Sequence, residues 1–189
     1  MPIYGNTSIA GAYNSASWPF TLWANMNLAN QGVMPTDGLV SSMHWYGHVH
    51  SPGTHIKGVI YDIDVPIPPS TATIVAQSVS TAFPFDPGGA TDYYWHTLPM
   101  SALLTAGKSY GLALVIAKEG VSAPYIIGQS PMGNNHCINV QLVDMDSAPD
   151  PYGTPVSTTF FMSFYITYDI PVAIPHVCYA ACCKHQNSL

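Results

Sequence analysis

The sequence predicts an all-β fold, an antiparallel sandwich or barrel with little helix. Strong helix formers are scarce, since the chain has no arginine and Glu119 is its only glutamate. Threonine, valine, isoleucine and tyrosine, which favour strands, are abundant. In addition, 17 prolines and 15 glycines are spread along the whole length and predict many turns.

Alternation of apolar and polar residues places the strands in order along the chain. In the first, over residues 18–28, apolar side chains occupy the even positions while Thr21, Asn25 and Asn27 face the other way, as in a half-buried strand. Turn-forming clusters separate it from the strands predicted at 38–50, 56–63, 73–82, 92–98, 110–118, 125–129, 137–143 and 158–169. Residues 100–106 are the one segment predicted to form a helical turn.

The length of 189 residues predicts one domain. Composition is uniform to about residue 169, so residues 1–169 are predicted as the β domain and residues 170–189 as a tail. Pro171 and Pro175 cannot continue a central strand. The tail beyond them is apolar, so we expect it to be an assembly element that packs on a neighbouring subunit, with its own domain as the alternative.

The chain carries few charges, with 7% charged residues, ten acidic side chains against four lysines, and a formal net charge of −6. Four lysines are too few to neutralise a run of phosphates, and the chain has no arginine to read base edges, which excludes nucleic acid as a partner. Bidentate clamps on phosphate or carboxylate substrates are excluded for the same reason. So low a charge predicts a homo-oligomer, because interface cores are depleted of charged residues.

No segment predicts contact with a membrane. The longest apolar stretch, residues 111–117, is far shorter than the ~18 residues that a spanning helix needs. The first twenty residues have neither a basic n-region nor a continuous apolar h-region, so we expect synthesis in the cytoplasm without a signal peptide.

Five motifs follow one another over residues 3–169: Tyr4-Gly-Asn-Thr, Gly58-Val-Ile-Tyr-Asp62, Leu103-Leu-Thr-Ala-Gly-Lys-Ser-Tyr-Gly-Leu-Ala-Leu114, Asp150-Pro-Tyr-Gly-Thr-Pro155 and Phe164-Tyr-Ile-Thr-Tyr168. Their succession resembles a jelly-roll module of tailed-phage virion proteins and of bacterial and archaeal surface proteins, whose sandwich is similar to carbohydrate-binding modules. The resemblance implies an antiparallel jelly-roll β-sandwich of about eight to ten strands. It concerns the fold more than the function.

These observations lead us to expect a non-enzymatic structural protein of a virion, a capsid-surface decoration or minor capsid subunit of a tailed phage. Such a subunit lies on the virion surface, is made in the host cytoplasm, and has copies of itself and a major capsid or other virion protein as partners. The alternative is a glycan-binding adhesion module at a phage fibre tip or on a cell surface, with a host surface glycan as its ligand.

Catalytic signatures are missing from the sequence. Gly128-Gln-Ser-Pro-Met-Gly does not have the spacing of a nucleophile elbow. Glu119 has no nearby aspartate that would complete the carboxylate pair of a glycosidase. We therefore expect no enzyme and no cofactor.

Two groups of residues have the chemistry of metal ligands. His48 and His50 are two residues apart on one predicted strand face, ~7 Å from each other, and would share a metal unless they are solvent-facing or interface histidines. Asp144, Asp146 and Asp150 offer hard oxygen ligands for a structural calcium ion, with turn capping as the alternative role.

The four cysteines are Cys137, Cys178, Cys182 and Cys183. If the tail were helical, Cys178, Cys182 and His185 would share one face. No Cys-x-x-Cys pair is present, and the spacing is not that of a zinc finger. A disulfide within or between subunits, a metal site and buried inert thiols all stay open as alternatives.

Aromatic residues provide the candidates for a glycan platform. A strand over Asp92-Tyr-Tyr-Trp-His96 would present Tyr93, Tyr94 and Trp95 to a sugar ring. Trp23 interrupts the alternation of its strand and is predicted to point outward. Trp18 and Trp45 are predicted to fill the core instead.

Overall fold

Short antiparallel strands joined by turns build the computed structural model, which confirms the prediction of an all-β fold. It describes residues 1–5, 7, 22–27, 33–48, 55–63, 72–82, 94–117, 125–126, 128–129, 136–139, 148, 156–158 and 161–171. The strands of these ranges are β1 (Ile3–Gly5), β2 (Leu22–Asn27), β3 (Gly38–His48), β4 (His55–Ile63), β5 (Ala72–Gln77), β6 (Thr81–Ala82), β7 (Tyr94–Leu104), β8 (Ser109–Ala117), β9 (Tyr125–Ile126), β10 (Gly128–Gln129), β11 (His136–Asn139), β12 (Val156–Thr158), β13 (Phe161–Met162) and β14 (Phe164–Asp169).

Two sheets contain most of these strands. The front sheet has the order β1-β14-β3-β7, and β9 adds a short pairing to β3. The back sheet has the order β12-β11-β2-β8-β4-β5, and β6 adds a short pairing to β4. Strands β10 and β13 form a separate antiparallel pair.

The inner faces of the two sheets share one hydrophobic core, which makes the fold a β-sandwich. The front sheet contributes Met43, Trp45, Leu98, Phe164 and Ile166, and the back sheet contributes Ile56, Ile60, Leu112 and Leu114, all of them fully buried. Gly58 marks a close approach between the sheets, because a Cβ added there would lie 2.7 Å from the Met43 Sδ. The prediction that Trp45 belongs to the core is confirmed.

The Tyr4 side chain joins the front sheet to the back sheet. Its hydroxyl donates to the carbonyl of Tyr110 on β8 and accepts from the amide of the same residue, each at 3.1 Å. The two rings meet edge to face with centroids 6.4 Å apart. The Tyr110 hydroxyl in turn accepts from the amide of Thr105, at 2.9 Å. Burial raises the pKa of the Tyr4 hydroxyl from 10 to about 12, so the group stays protonated and able to donate even in alkaline solution.

The outer faces of the two sheets differ. On the back sheet Val59, Tyr61, Ile63, Ala113 and Val115 face away from the shared core, yet all are buried in a second hydrophobic cluster that includes Ala148. On the front sheet the outward residues are partly or fully exposed. Among the described residues, the outer face of the front sheet is therefore more exposed than that of β4 and β8.

One prediction about local structure is wrong. Residues 100–106, predicted as a helical turn, continue β7 as far as Leu104 and then enter a turn at Gly107, whose φ is +79°. Pairing with β3 overrides the helix propensity of the alanines and leucines in this segment, since Leu39 and Leu103 are in register. Within the described ranges, the structure contains no helix that is long and apolar enough to cross a membrane.

Candidate functional site

Three neighbouring strands of the front sheet present a continuous group of aromatic and hydroxyl side chains. Successive side chains of a strand point to opposite faces, so burying Met43 and Trp45 in the core turns His44 and Tyr46 outward. Strands β7 and β14 present their outward residues beside them. We call this group the aromatic face; it consists of Ser42, His44, Tyr46, Trp95, Thr97, Tyr165 and Thr167.

Strand register brings these residues together from distant parts of the chain. His44 lies opposite Tyr165 on β14 and opposite Thr97 on β7. Tyr46 lies opposite Trp95. Directly opposite residues in an antiparallel pair have Cβ atoms about 5 Å apart, close enough for ring contact.

A bulge in β3 adds a hydroxyl group to this face. Thr167 and Tyr168 are adjacent on β14 but pair with Ser42 and Val40, so β3 has one extra residue, Ser41, and two serines follow one another on the outer side before Met43 returns to the core. Without the extra residue, strand alternation would place only one of the two serines outward. The bulge thereby directs Ser42 toward Thr167 and His44.

The four rings form an unbroken series of contacts. His44 stacks on Tyr165, with centroids 4.5 Å apart and planes 15° apart. Trp95 reaches across β3 to meet Tyr165 edge to face at 4.8 Å, and Tyr46 meets Trp95 in the same way at 5.2 Å. Each ring is only partly buried, so the series forms an exposed apolar surface.

Hydroxyl groups fix the His44 ring on both sides. Its Nε2 lies 2.8 Å from the Ser42 Oγ, and its Nδ1 lies 3.1 Å from the Thr97 Oγ1. Ser42 also lies 2.6 Å from the Thr167 Oγ1. A neutral imidazole has one donor and one acceptor nitrogen, and hydroxyls accept or donate as required, so this network suits the uncharged ring.

Burial lowers the pKa of His44 below the ordinary histidine value of 6.5. The described neighbours of the ring are two hydroxyls and Tyr165, and none of these carries a charge that would stabilise the imidazolium. The aromatic face is consequently neutral at pH 7, since its other members are tyrosines, a tryptophan, serines and threonines.

The lowered pKa has a measurable consequence for stability. The folded state disfavours the charged ring. The contribution of His44 to the free energy of unfolding is therefore fully present above pH 6.5 and is lost as pH falls through the folded-state pKa. In an NMR titration, we expect the chemical shifts of the His44 ring protons to give a pKa below 6.5. The free energy of unfolding should rise with pH across that window, and His44→Gln should remove this part of the slope. Titration of His44 at or above 6.5 would contradict the burial described here.

The structure separates two members of the predicted glycan platform. Tyr94 and Trp95 are adjacent on β7 and therefore point to opposite faces of the sheet. Tyr94 lies on the inner side, where its ring is 4.2 Å from that of His96, and His96 itself stacks on Trp45 at 4.0 Å. Of these two residues, Trp95 joins the aromatic face. Tyr93 lies outside the described residues.

The other predicted site residues are located only in part. Trp23 is in β2, His48 in β3 and Cys137 in β11, but the side chains of these three lie outside what the structure describes. The remaining residues are not described at all: His50, Asp144, Asp146, Asp150, Cys178, Cys182 and Cys183. The metal and cysteine predictions therefore stay predictions. In the described part of the chain, no three histidine, cysteine, aspartate or glutamate side chains form a group that could hold a metal ion.

Tyr165 was not among the residues singled out from the sequence, although it contacts two rings of the aromatic face. It lies 70 residues beyond Trp95 in the chain, and only the order β14-β3-β7 places the two together. The alternation of β14, with Phe164 and Ile166 buried, would have predicted that Tyr165 points outward.

Comparisons with protein-family models, curated proteins and solved structures found no match to this chain. The function is therefore inferred from the sequence and from the geometry of the described residues.

Proposed function

We propose that the chain is a non-enzymatic structural subunit of a virion, a capsid-surface decoration or minor capsid protein of a tailed phage that assembles as a homo-oligomer. The observation that carries the proposal is a pair of exposed leucines on the outer side of the front sheet. Leu39 and Leu103 are opposite each other on β3 and β7, and 47% and 65% of their surfaces are exposed.

Two further apolar residues lie at the same end of the sandwich. Ile170, 55% exposed, follows Asp169, which pairs with Leu39. Val33, 57% exposed, precedes Met34, which bonds to the β7–β8 turn through Gly107 and Lys108. We call Val33, Leu39, Leu103 and Ile170 the apolar end.

Charged groups lie near the apolar end in the described part of the chain. Asp37 accepts a hydrogen bond from the Ala106 amide at 2.8 Å, and Lys108 pairs with Asp62 at 2.6 Å. An apolar centre with a polar rim is the usual composition of an interface between proteins. A second copy of this chain is the proposed occupant, because the composition, 48% hydrophobic and 7% charged, offers the same uncharged surface on both sides of the contact.

The virion assignment rests on the resemblance to phage jelly-roll modules and on the low charge, which suits a subunit enclosed by neighbours. The proposed partners are copies of the chain and a major capsid or other virion protein. The alternative, a glycan-binding adhesion module, depends on a different surface, the aromatic face.

Removing the apolar end should dissociate the oligomer. We expect native mass spectrometry and light scattering to show a homo-oligomer for the full chain. The double variant Leu39→Asn with Leu103→Asn should be monomeric, because about 1 to 3 kcal/mol of burial per leucine is lost from the interface. Both side chains are exposed in the subunit, so the circular dichroism spectrum should not change.

Val79→Asn is the matched control, since Val79 is 73% exposed but lies outside the apolar end. It should leave the oligomer intact. A monomeric wild-type chain at 100 μM, or an oligomer that survives the double variant, would refute assembly through this surface.

Mass spectrometry of purified phage particles tests the virion assignment separately, and absence of the chain from those particles would refute it.

A further inference from the structure

We infer that the aromatic face binds a neutral saccharide. The inference goes beyond the proposed structural role, because it assigns a ligand to a surface that assembly through the apolar end does not use. Trp95 contributes the largest ring and contacts both Tyr46 and Tyr165, which extend the apolar surface across β3 to β14.

The aromatic series is long enough to contact a short oligosaccharide. The contacts Tyr46–Trp95 and Trp95–Tyr165 extend over three neighbouring strands, which lie about 5 Å apart, so the series spans roughly 10 Å. Neighbouring rings are inclined by 62° and 69°, so they form a ridged surface on which each sugar ring would pack its C–H face against one aromatic ring. The partial exposure of the four rings leaves apolar area for a ligand to cover.

Hydroxyl groups on the same face complement the hydroxyls of a sugar. Ser42, Thr97 and Thr167 each have an oxygen that donates and accepts, and the His44 ring holds two of them in place. An apolar surface with a few fixed polar groups is typical of small-molecule sites, where the polar groups set the orientation of the ligand.

Charge decides which class of ligand fits. The aromatic face has no cation to pair with a sulfate, a phosphate or a carboxylate, so an acidic glycan would lose hydration without gaining an ion pair. It also has no carboxylate for a cationic ligand. An extended peptide would pair with an exposed strand edge rather than lie across the middle of a sheet. A neutral oligosaccharide uses both the rings and the hydroxyls.

The test is a glycan array that carries neutral and acidic oligosaccharides, probed with the full chain and followed by calorimetry with each neutral glycan that is bound. We expect binding to at least one neutral class. Trp95→Ala should weaken it by at least about tenfold, since a buried aromatic contact commonly contributes that much to affinity. Tyr46→Ala should also weaken glycan binding. It is the second test variant if circular dichroism shows that Trp95→Ala does not fold.

Tyr94→Ala is the matched control, because Tyr94 is an exposed aromatic on the same strand but on the opposite face. Its affinity should equal that of the wild-type chain. The inference is overturned if the array shows no binding, if only acidic glycans bind, or if Trp95→Ala binds as well as wild type. It is also overturned if Trp95→Ala breaks the oligomer while no glycan binds, since the face would then be an interface between copies. None of these results depends on Leu39 or Leu103, so the structural proposal can fail or hold independently.

Discussion

Replacing Trp45 with alanine should lower the free energy of unfolding by about 3 to 5 kcal/mol. The indole is fully buried between the two sheets and stacks on His96, with centroids 4.0 Å apart. Met43 and Phe164 are also fully buried in the same cluster, so the neighbours cannot close the cavity without leaving their own contacts. Urea denaturation followed by circular dichroism measures the loss.

Trp95→Ala provides the comparison, since Trp95 is a tryptophan of the neighbouring strand on the outer side of the same sheet. Its removal deletes two edge-to-face contacts and leaves no closed cavity, so the expected loss is about 1 to 2 kcal/mol. Equal losses in the two variants would show that the front sheet does not separate an inner from an outer face as described.

Gly5→Ala should destabilise the protein by about 2 to 5 kcal/mol, through strain in the backbone and a direct clash. Gly5 has a φ of +133°, which side chains rarely allow. An added Cβ would lie 2.5 Å from the Tyr165 Cα and 2.6 Å from the Phe164 carbonyl oxygen. Both contacts are with the backbone of β14, so rotation of a side chain cannot relieve them. Thermal and urea unfolding measure the effect.

Gly107→Ala separates the two causes. Gly107 also has a positive φ, +79°, but an added Cβ there would have no atom within 4 Å. We expect a loss of about 1 to 2 kcal/mol from conformation alone. If Gly5→Ala loses no more than Gly107→Ala, then β1 does not approach β14 as closely as the structure has it.

Sequence periodicity predicted most of the fold because each strand alternates between a core and an outer face. The alternation around Met43 and Trp45 places His44 and Tyr46 on the outer side. The segment after Pro99 was mistaken for a helical turn, since its alanines and leucines favour a helix locally. Its burial nevertheless alternates, with Met100 and Leu104 inward and Leu103 outward. Pairing with β3 keeps the segment in a strand as far as Leu104.

The aromatic face was predicted only in fragments. Trp95 was identified, but it was grouped with Tyr93 and Tyr94 because they are consecutive in sequence. Strand alternation separates Tyr94 from Trp95, since neighbouring residues of a strand point to opposite faces. The contact with Tyr165 depends on the spatial order of β14, β3 and β7, which a single sequence does not specify, because many strand orders bury the same apolar residues.

The pairing of β1 with β14 constrains when the fold can be completed during synthesis. Ile3 is in register with Thr167, and Tyr4 bonds to Tyr110, 106 residues away. A nascent chain therefore carries its first strand without a partner until almost the whole domain has left the ribosome. Contacts of such long range close slowly, because the entropy of a long loop is lost before they form. The edge of the front sheet is thus completed only once β14 has emerged from the ribosome, and a chaperone that holds the first residues would delay that step.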